Sequence, residues 1–375
     1  MKVGLLIYGS LETRSGGYLY DRKLAEHLER QGDRVQVVSL PWRDYARHLG
    51  DNLSRRLYRT LVDLKVDILL QDELDHPSLF WMNRRLRGRV PYPTLAIVHH
   101  LRSSELRPAW QNWLYARVER LYLRGVDGFV FNSLTTQRAV EALSGQLLPS
   151  VVAYPAADHI DPQITLDEIG QRAMESGPLR LIFVGNLIPR KGLHTLLEAV
   201  ARLPKNTVCL DVVGSPDFDP GYTAEIRRRI ANRGLESAVR LHGALDEAGL
   251  RERLRSAQAL VLPSSYEGFG IVYLEAMGFG LPCIGSTAGA ASEVILDGET
   301  GFLIPPEDES ALADRLGELA AYPRLRLYLS QAARQRYLAH PTWEQSGQVI
   351  RQFLIDRFSN FQSSSNSPAW GRGRG

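Results

Sequence analysis

The stretch SSYEGFGIVYLEAMGFG, Ser264 to Gly280, places two carboxylates, Glu267 and Glu275, around a turn punctuated by Gly268 and Gly270. Ahead of it, Ala257 to Pro263 (AQALVLP) is a short apolar run ending at proline, the pattern of a buried strand. Behind the turn, Ile271 to Met277 holds good helix formers and no internal glycine or proline. The segment therefore reads as strand, loop, helix. On one continuous helix, residues eight apart lie roughly 80° from each other, too far round to serve one small ligand. The two glycines instead predict a helix that starts near Gly270 and leaves Glu267 on the loop at the carboxyl end of the strand. Ligands of open α/β sheets bind at that edge. A carboxylate there accepts hydrogen bonds from hydroxyls, and the amides of Gly268, Phe269, Gly270 and Ile271 point donors at an anion. The other reading is a carboxylate at its own helix dipole and a solvated Glu275. The rest of the chain decides between them.

Outward from this stretch, strand-like and helix-like runs alternate. Strands are expected at Val3 to Tyr8, Val35 to Leu40, Ile68 to Gln71, Leu95 to His99, Phe129 to Asn132 and Val151 to Tyr154, with helices between them, among them Tyr18 to Gln31, Leu53 to Leu64 and Leu106 to Arg124. Residues Asp158 to Pro178 read as a polar, irregular linker. A second alternation follows, with strands at Leu179 to Val184, Val208 to Val213, Val239 to His242, Leu260 to Leu262 and Cys283 to Gly285. Such alternation predicts an α/β chain of two facing Rossmann-like domains with parallel sheets. The expected division is 1–165, 166–341 and a helix at about 342–358 that returns to the first domain. The tail 359–375, SNFQSSSNSPAWGRGRG, is expected to be disordered.

Composition narrows the classes. At 375 residues with 23% charged and 44% apolar side chains, the chain is neither disordered nor fibrous. A net charge of +3 gives no general indication of a nucleic-acid partner. Residues 1–150 nevertheless carry about six more basic than acidic side chains, mostly arginine. Arg84, Arg85, Arg87 and Arg89 form one cluster; Arg102, Arg107, Arg117, Arg120 and Arg124 form another. They read either as a solvated surface or as attraction to anionic phospholipid or a phosphorylated partner. Cys209 and Cys283 lie in strand-like runs and imply no disulfide framework. No run approaches a membrane span, so the expectation is a cytoplasmic protein or one held peripherally on the inner face of the plasma membrane.

Three further sites fall at strand ends. Gly16 and Gly17, in TRSGGYLYD, open a helix after the first strand and allow a ligand close to the backbone. In LIFVGNLIPRKGL, Asn186, Arg190 and Lys191 occupy the loop after an apolar strand, where cations are placed to neutralise a diphosphate. Neither segment satisfies G-x-G-x-x-G or the P-loop pattern. His99 and His100 end LAIVHH at the sheet edge facing the cleft. Asn132 and Ser133 sit equivalently and read equally as a helix cap. Asp72 and Glu73 read as ordinary loop acids rather than ligand contacts. No metal ligands cluster at recognisable spacing.

Taken together, VGNLIPRKGL, then SSYEGFGIVYLEAM, then GLPCIGSTAGAASEVILDGETGFLIPPED resemble the retaining nucleotide-sugar glycosyltransferases of family four, which have the GT-B fold. The resemblance covers residues 1–358 and is strongest in the second half. It implies a metal-independent hexosyltransferase without cofactor, using a nucleoside diphosphate sugar as donor substrate and a carbohydrate or lipid-linked acceptor, in polysaccharide or glycolipid biosynthesis. By this resemblance Glu275 holds the nucleotide ribose, Glu267 lies beside the transferred sugar, and Lys191 holds the diphosphate. Gly16 and Gly17 approach that diphosphate from the other domain, His99 stands at the donor–acceptor junction, and Glu293 is structural. Asn186 replaces the arginine many relatives carry, which leaves Arg190 to supply the second charge or to point away. Alternatives that keep the fold are a non-catalytic nucleotide-sugar-binding protein and a sugar-nucleotide epimerase. An oxidoreductase is disfavoured by the missing dinucleotide fingerprint.

Overall fold

The computed structural model describes residues 1–13 and 15–358. The expected disordered tail lies outside the described residues. Two parallel six-stranded sheets organise the rest. The first comprises β1 (Lys2–Tyr8), β2 (Arg34–Leu40), β3 (Ile68–Asp72), β4 (Thr94–Val98), β5 (Gly128–Phe131) and β6 (Ser150–Val152), in spatial order β2-β1-β3-β4-β5-β6. The second comprises β7 (Leu179–Val184), β8 (Val208–Val213), β9 (Val239–Gly243), β10 (Ala259–Leu262), β11 (Cys283–Ser286) and β12 (Gly301–Ile304), in order β12-β11-β10-β7-β8-β9.

Both orders reverse direction once, between β1 and β3 and between β7 and β10. At such a switch point the loops leave to opposite sides and open a crevice at the strands' carboxyl ends. The loops carrying Gly16–Gly17, Asn186–Lys191 and Ser264–Gly270 all emerge there. The strands are apolar because helices cover both faces: all four residues of β10, ALVL, are buried. Two core clusters cover the faces of the first sheet, and one large cluster fills the second domain.

The helix Trp343–Phe358 packs back on the first domain, against the helix Gly16–Arg30. A Cβ at Gly347 would lie 2.4 Å from the His27 ring, so the two helices meet at that glycine. Glu344 accepts from Arg30 at 3.0 Å, and Arg351 Nε lies 2.7 Å from Asp33. The Pro323–Leu338 helix precedes this crossing.

Two local expectations change. The stretch expected to be irregular linker contains a helix, Leu166–Met174, closed by a capping box in which Thr165 and Glu168 satisfy each other's backbone amides. The T-x-x-E spacing is present in the sequence, but its polar surroundings mask it. The strand β12 is an addition to those expected. It is only four residues long and starts at Gly301, which admits no side chain: its φ is 154°, and a Cβ there would lie 1.9 Å from Cys283 O.

Candidate active site

The helix Ile271–Gly278 begins where the glycines predict, with Gly270 at its N-cap in a left-handed conformation, φ 90°. A Cβ on Gly270 would lie 2.5 Å from the Tyr273 ring, so both space and conformation call for glycine. Glu267 is left on the loop after β10. It is buried, and its Oε1 lies 2.6 Å from Lys191 Nζ, 2.7 Å from Ser264 Oγ and 3.6 Å from Arg190 Nη1. Burial opposes ionisation of Glu267, but the charges of Lys191 and Arg190 and the two hydrogen bonds outweigh it and hold its pKa at about 2. Burial draws the Lys191 pKa down, and the attraction of Glu267 offsets this in part.

Arg190 also donates to Tyr266 O at 2.7 Å, so its guanidinium turns toward the Glu267 loop beside Lys191. The two cations of PRKG thus converge on one carboxylate. Gly192, at φ 72°, lets this loop pass beneath Pro263: a Cβ there would lie 2.2 Å from Pro263 O. Asn186 is half-buried on the same loop, before the Pro189–Lys191 turn.

Glu275 faces the crossing between the domains. Its Oε1 lies 3.1 Å from His159 Nε2, while Trp343 Nε1 lies 3.3 Å from His159 Nδ1. An indole nitrogen only donates, so His159 Nδ1 accepts and the Nε2 hydrogen faces Glu275. Phe269 is buried, its ring 5.8 Å from that of Tyr154. Sequence alone does not single out His159, since a lone histidine in a polar stretch carries no pattern.

On the first domain, Gly16 and Gly17 open the helix Gly16–Arg30, with Ser15 as N-cap and no acid in the first turn. A Cβ on Gly16 would approach Ile271 of the other domain at 3.6 Å, and one on Gly17 would approach His99 at 3.2 Å. His99 is buried, with Nε2 3.2 Å from Asp21 Oδ1. Burial disfavours its charge, but Asp21, then Asp72 and Glu73, raise its pKa to about 9. It is an imidazolium at neutral pH and therefore a donor rather than a base. Asp21 stands one helical turn after Gly17, a spacing by which the sequence could mark it.

Asp72 and Glu73 are not loop acids in water: both are buried, under the chain that leaves β3. Burial and the neighbouring Asp21 push the Asp72 carboxyl well up, toward its protonated form. Ligand atoms of Asp21, Asp72 and His99 lie within 4.8 Å of one another, as do those of Glu73, His76 and Glu119. Each group has two carboxylates and an imidazole, a donor set compatible with a divalent cation, assembled from positions too distant for sequence spacing to reveal. Within the first group, His99 and Asp21 are joined by a hydrogen bond.

A pH dependence follows. An unfolded histidine titrates near ~6.5, so the His99 interaction stabilises the fold fully below that value and is lost as pH rises through about 9. Unfolding free energy should fall by a few kcal/mol across this window. A His99 NMR titration with its midpoint near the unfolded value would contradict the assignment.

Further contacts join the domains at the cleft. Gly268 lies against His99: a Cβ on Gly268 would fall 2.2 Å from His99 O, which itself accepts from Asn132 Nδ2 at 2.9 Å. Ser133 caps the helix Leu134–Ser144 by accepting from Thr136 N and reaches Gly268 O at 3.1 Å. Glu293 of the second domain accepts from Leu134 N at 3.0 Å and Thr135 N at 2.7 Å.

Beside these contacts lies a cavity of about 920 Å³ with walls from both domains. Arg190, His194 and Ser265 form part of one wall, and Tyr45, Glu73, His100 and Arg102 part of the other. Many of the clustered arginines are engaged locally: Arg120 and Arg124 donate to Leu143 O and Ser144 O at a helix end, and Arg85 donates to Asn52 O.

Comparison with known proteins agrees with this architecture. The family described as Glycosyl transferases group 1 matches residues 167–336. Phosphatidyl-myo-inositol mannosyltransferase of Mycobacterium leprae is 29% identical over 371 residues, covering 90% of each chain. Among solved structures, sucrose-phosphate synthase from Thermosynechococcus elongatus superposes with a TM-score of 0.80 at 22% identity, covering 96% of this chain and 99% of that one. Anabaena HepE, solved with UDP and glucose, gives a TM-score of 0.73 at 19% identity, covering 95% and 100%. With two facing parallel sheets, a returning terminal helix and a matching second domain, the chain belongs to the glycosyl transferases group 1, with the GT-B fold.

Proposed function

We propose that this protein transfers a hexosyl group from a nucleoside diphosphate sugar to an acceptor hydroxyl, with retained anomeric configuration, in the synthesis of a cell-envelope polysaccharide or glycolipid. The observation that carries this reading is the convergence of Lys191, Arg190 and Glu267 at the second switch point, opposite the Gly16–Gly17 helix start and His99. The UDP bound by HepE and the lipid named for the mycobacterial mannosyltransferase support it.

Charge develops on the diphosphate as the glycosidic bond breaks, so Lys191, Arg190 and the glycine amides stabilise the transition state without a metal ion. Glu275 takes the ribose diol. Glu267 and the backbone from Gly268 to Ile271 position the sugar, and Asn186 lies beside the diphosphate. The acceptor attacks on the face that the diphosphate leaves, and the departing diphosphate takes the proton. His99, already protonated, orients substrate. Domain closure excludes water. A panel of UDP, GDP and ADP sugars with detection of transfer product tests the reading. Donor binding without turnover would indicate a binding protein, and donor interconversion without acceptor an epimerase.

The acceptor is presented at an anionic membrane surface on the cytoplasmic side. Along the helix Ala109–Leu123, Trp110, Trp113, Leu114 and Leu121 are exposed on one side with Arg117, whose guanidinium lies 5.1 Å from the Trp113 ring. Apolar rings beside cations suit the headgroup boundary. No described helix is long and apolar enough to cross a membrane. Replacing Trp110 and Trp113 with serine should weaken binding to anionic liposomes about tenfold. Equal binding of the parent protein to anionic and neutral liposomes would refute the surface.

A further inference from the structure

Arg102 stands apart from the other arginines around the cavity. Arg43 is paired with Asp51 at 2.9 Å, Arg107 with Glu105, and Arg190 lies against Glu267. Glu105 is also held by His100 at 3.0 Å, so its carboxylate already has two partners. Arg102 has no carboxylate within ion-pair distance among the described residues. Its guanidinium carbon sits 4.8 Å from the Tyr115 ring centre and 5.2 Å from that of Tyr45, two rings that meet edge to face 4.9 Å apart, so it rests in the corner they form. Its Nε is buried without a hydrogen-bond partner, and so is that of Arg107.

This corner is fixed from below. Glu119 accepts from the backbone amides of Arg102 and Ser103 and from the Ser103 hydroxyl, which pins the short turn Arg102–Ser104 to the helix Ala109–Leu123. Tyr45 is held in turn by His76, whose Nε2 lies 3.1 Å from its hydroxyl. A buried guanidinium NH without an acceptor costs free energy. That cost is relieved by an anion with several oxygens, for which the planar fork of arginine is matched. The cavity lining carries four arginines and four carboxylates, so no excess of acid opposes an anion there.

From these observations we infer that Arg102, packed against Tyr45 and Tyr115 and assisted by Arg107, binds a phosphoryl group carried by the acceptor, so that the acceptor is a phosphorylated polyol or sugar. This rests on the glycosyltransferase reading, which makes the first-domain side of the cavity the acceptor side. The same phosphoryl chemistry is found in a soluble phosphate monoester and in a phosphodiester lipid headgroup.

The test compares the full chain with Arg102→Gln and Arg102→Lys. Binding of myo-inositol 1-phosphate and of unphosphorylated myo-inositol is measured by calorimetry with UDP at saturation, which keeps the diphosphate site filled. Liposomes of phosphatidylinositol and of phosphatidylcholine provide the lipid arm. The parent should bind the phosphate ester or the phosphatidylinositol liposome at least about tenfold more tightly than the unphosphorylated counterpart or the phosphatidylcholine liposome. Arg102→Gln should lose the preference for the ester and reduce that for phosphatidylinositol to the level supplied by the exposed Trp110, Trp113 and Arg117, and Arg102→Lys should keep part of both. UDP affinity should be the same in all three, which also reports that the variants are folded.

An Arg102-dependent preference for the soluble ester assigns a monoester acceptor, and an Arg102-dependent preference for the liposome a lipid headgroup. Equal affinity of parent and Arg102→Gln for both phosphorylated probes overturns the proposal, as does a parent that discriminates in neither arm. Loss of UDP, GDP and ADP binding in the parent would instead overturn the glycosyltransferase reading, and the phosphate-ester arm, repeated without nucleotide, would still decide the role of Arg102.

Discussion

Replacing Lys191 with alanine is expected to lower kcat/KM for glycosyl transfer by on the order of 10²- to 10³-fold, the scale found when one preorganised donor to a developing anion is removed. The same change affects the fold, because Glu267 is buried and Lys191 Nζ is its partner at 2.6 Å. Removing one member of a buried ion pair costs about 3–5 kcal/mol. Here the loss should fall toward the lower end, since Arg190 remains 3.6 Å from the same oxygen. The two effects separate in the double variant Lys191→Met with Glu267→Gln. Its melting temperature should recover most of the loss, whereas transfer should not recover at all. Recovery of kcat/KM along with stability would make Lys191 a structural residue only. Unchanged kcat/KM in Lys191→Ala would remove it from the site altogether.

Gly268→Ala is expected to abolish most activity by a different route. Its Cβ would lie 2.2 Å from His99 O, a backbone atom of the other domain that Asn132 holds in place. Neither side can yield locally, so the domains must separate, and groups that act together across the cleft are displaced by an ångström or more. Misplacement of that size costs about 10²-fold in rate. Each domain should keep its own stability, because the clash lies between them. Small-angle scattering should show an enlarged particle. Gly289 provides the contrast: it sits at φ 78°, and a Cβ there would meet Glu267 O of the same domain at 2.1 Å. Its replacement by alanine has no opening motion to relieve it and should lower the melting temperature instead. Parent-level transfer by Gly268→Ala with unchanged scattering would show that the closed contact is not needed.

The fold is legible in the sequence because its determinants are local. Apolar runs such as ALVL and LIFV, each followed by a glycine or proline and then a helical pattern, prescribe parallel strands without any knowledge of their neighbours. Gly270 likewise fixes the start of its helix, since only a left-handed residue fits at that turn. The helix after Thr165 is harder to see although its capping box is in the sequence, because the residues around it are as polar as those of a loop.

The first-domain side of the site is less legible, for a physical reason. The His99 charge depends on Asp21, Asp72 and Glu73, three acids brought together only by the order of the strands. Asp72 and Glu73 resemble solvated loop acids because nothing local announces burial. The lack of a carboxylate within ion-pair distance of Arg102, among the described residues, is the difference between its surroundings and those of Arg107, five residues away. The sequence shows two arginines in one cluster, and only the fold shows which of them has a carboxylate.

The contact of Glu293 with the helix Leu134–Ser144 has a consequence for the balance between open and closed populations. The helix has no acid of its own in its first turn, and two of its leading amides take their acceptor from the other domain. Water replaces that acceptor when the cleft opens. A charge at a helix start contributes about 0.3–1 kcal/mol at an exposed site, which is roughly a two- to fivefold bias toward the closed state. Two conformations separated by only a few kcal/mol respond measurably to a bias of this size. Position 293 thus works as a set point: changing it would alter how often the cleft closes while leaving every group that faces the reacting atoms as it is.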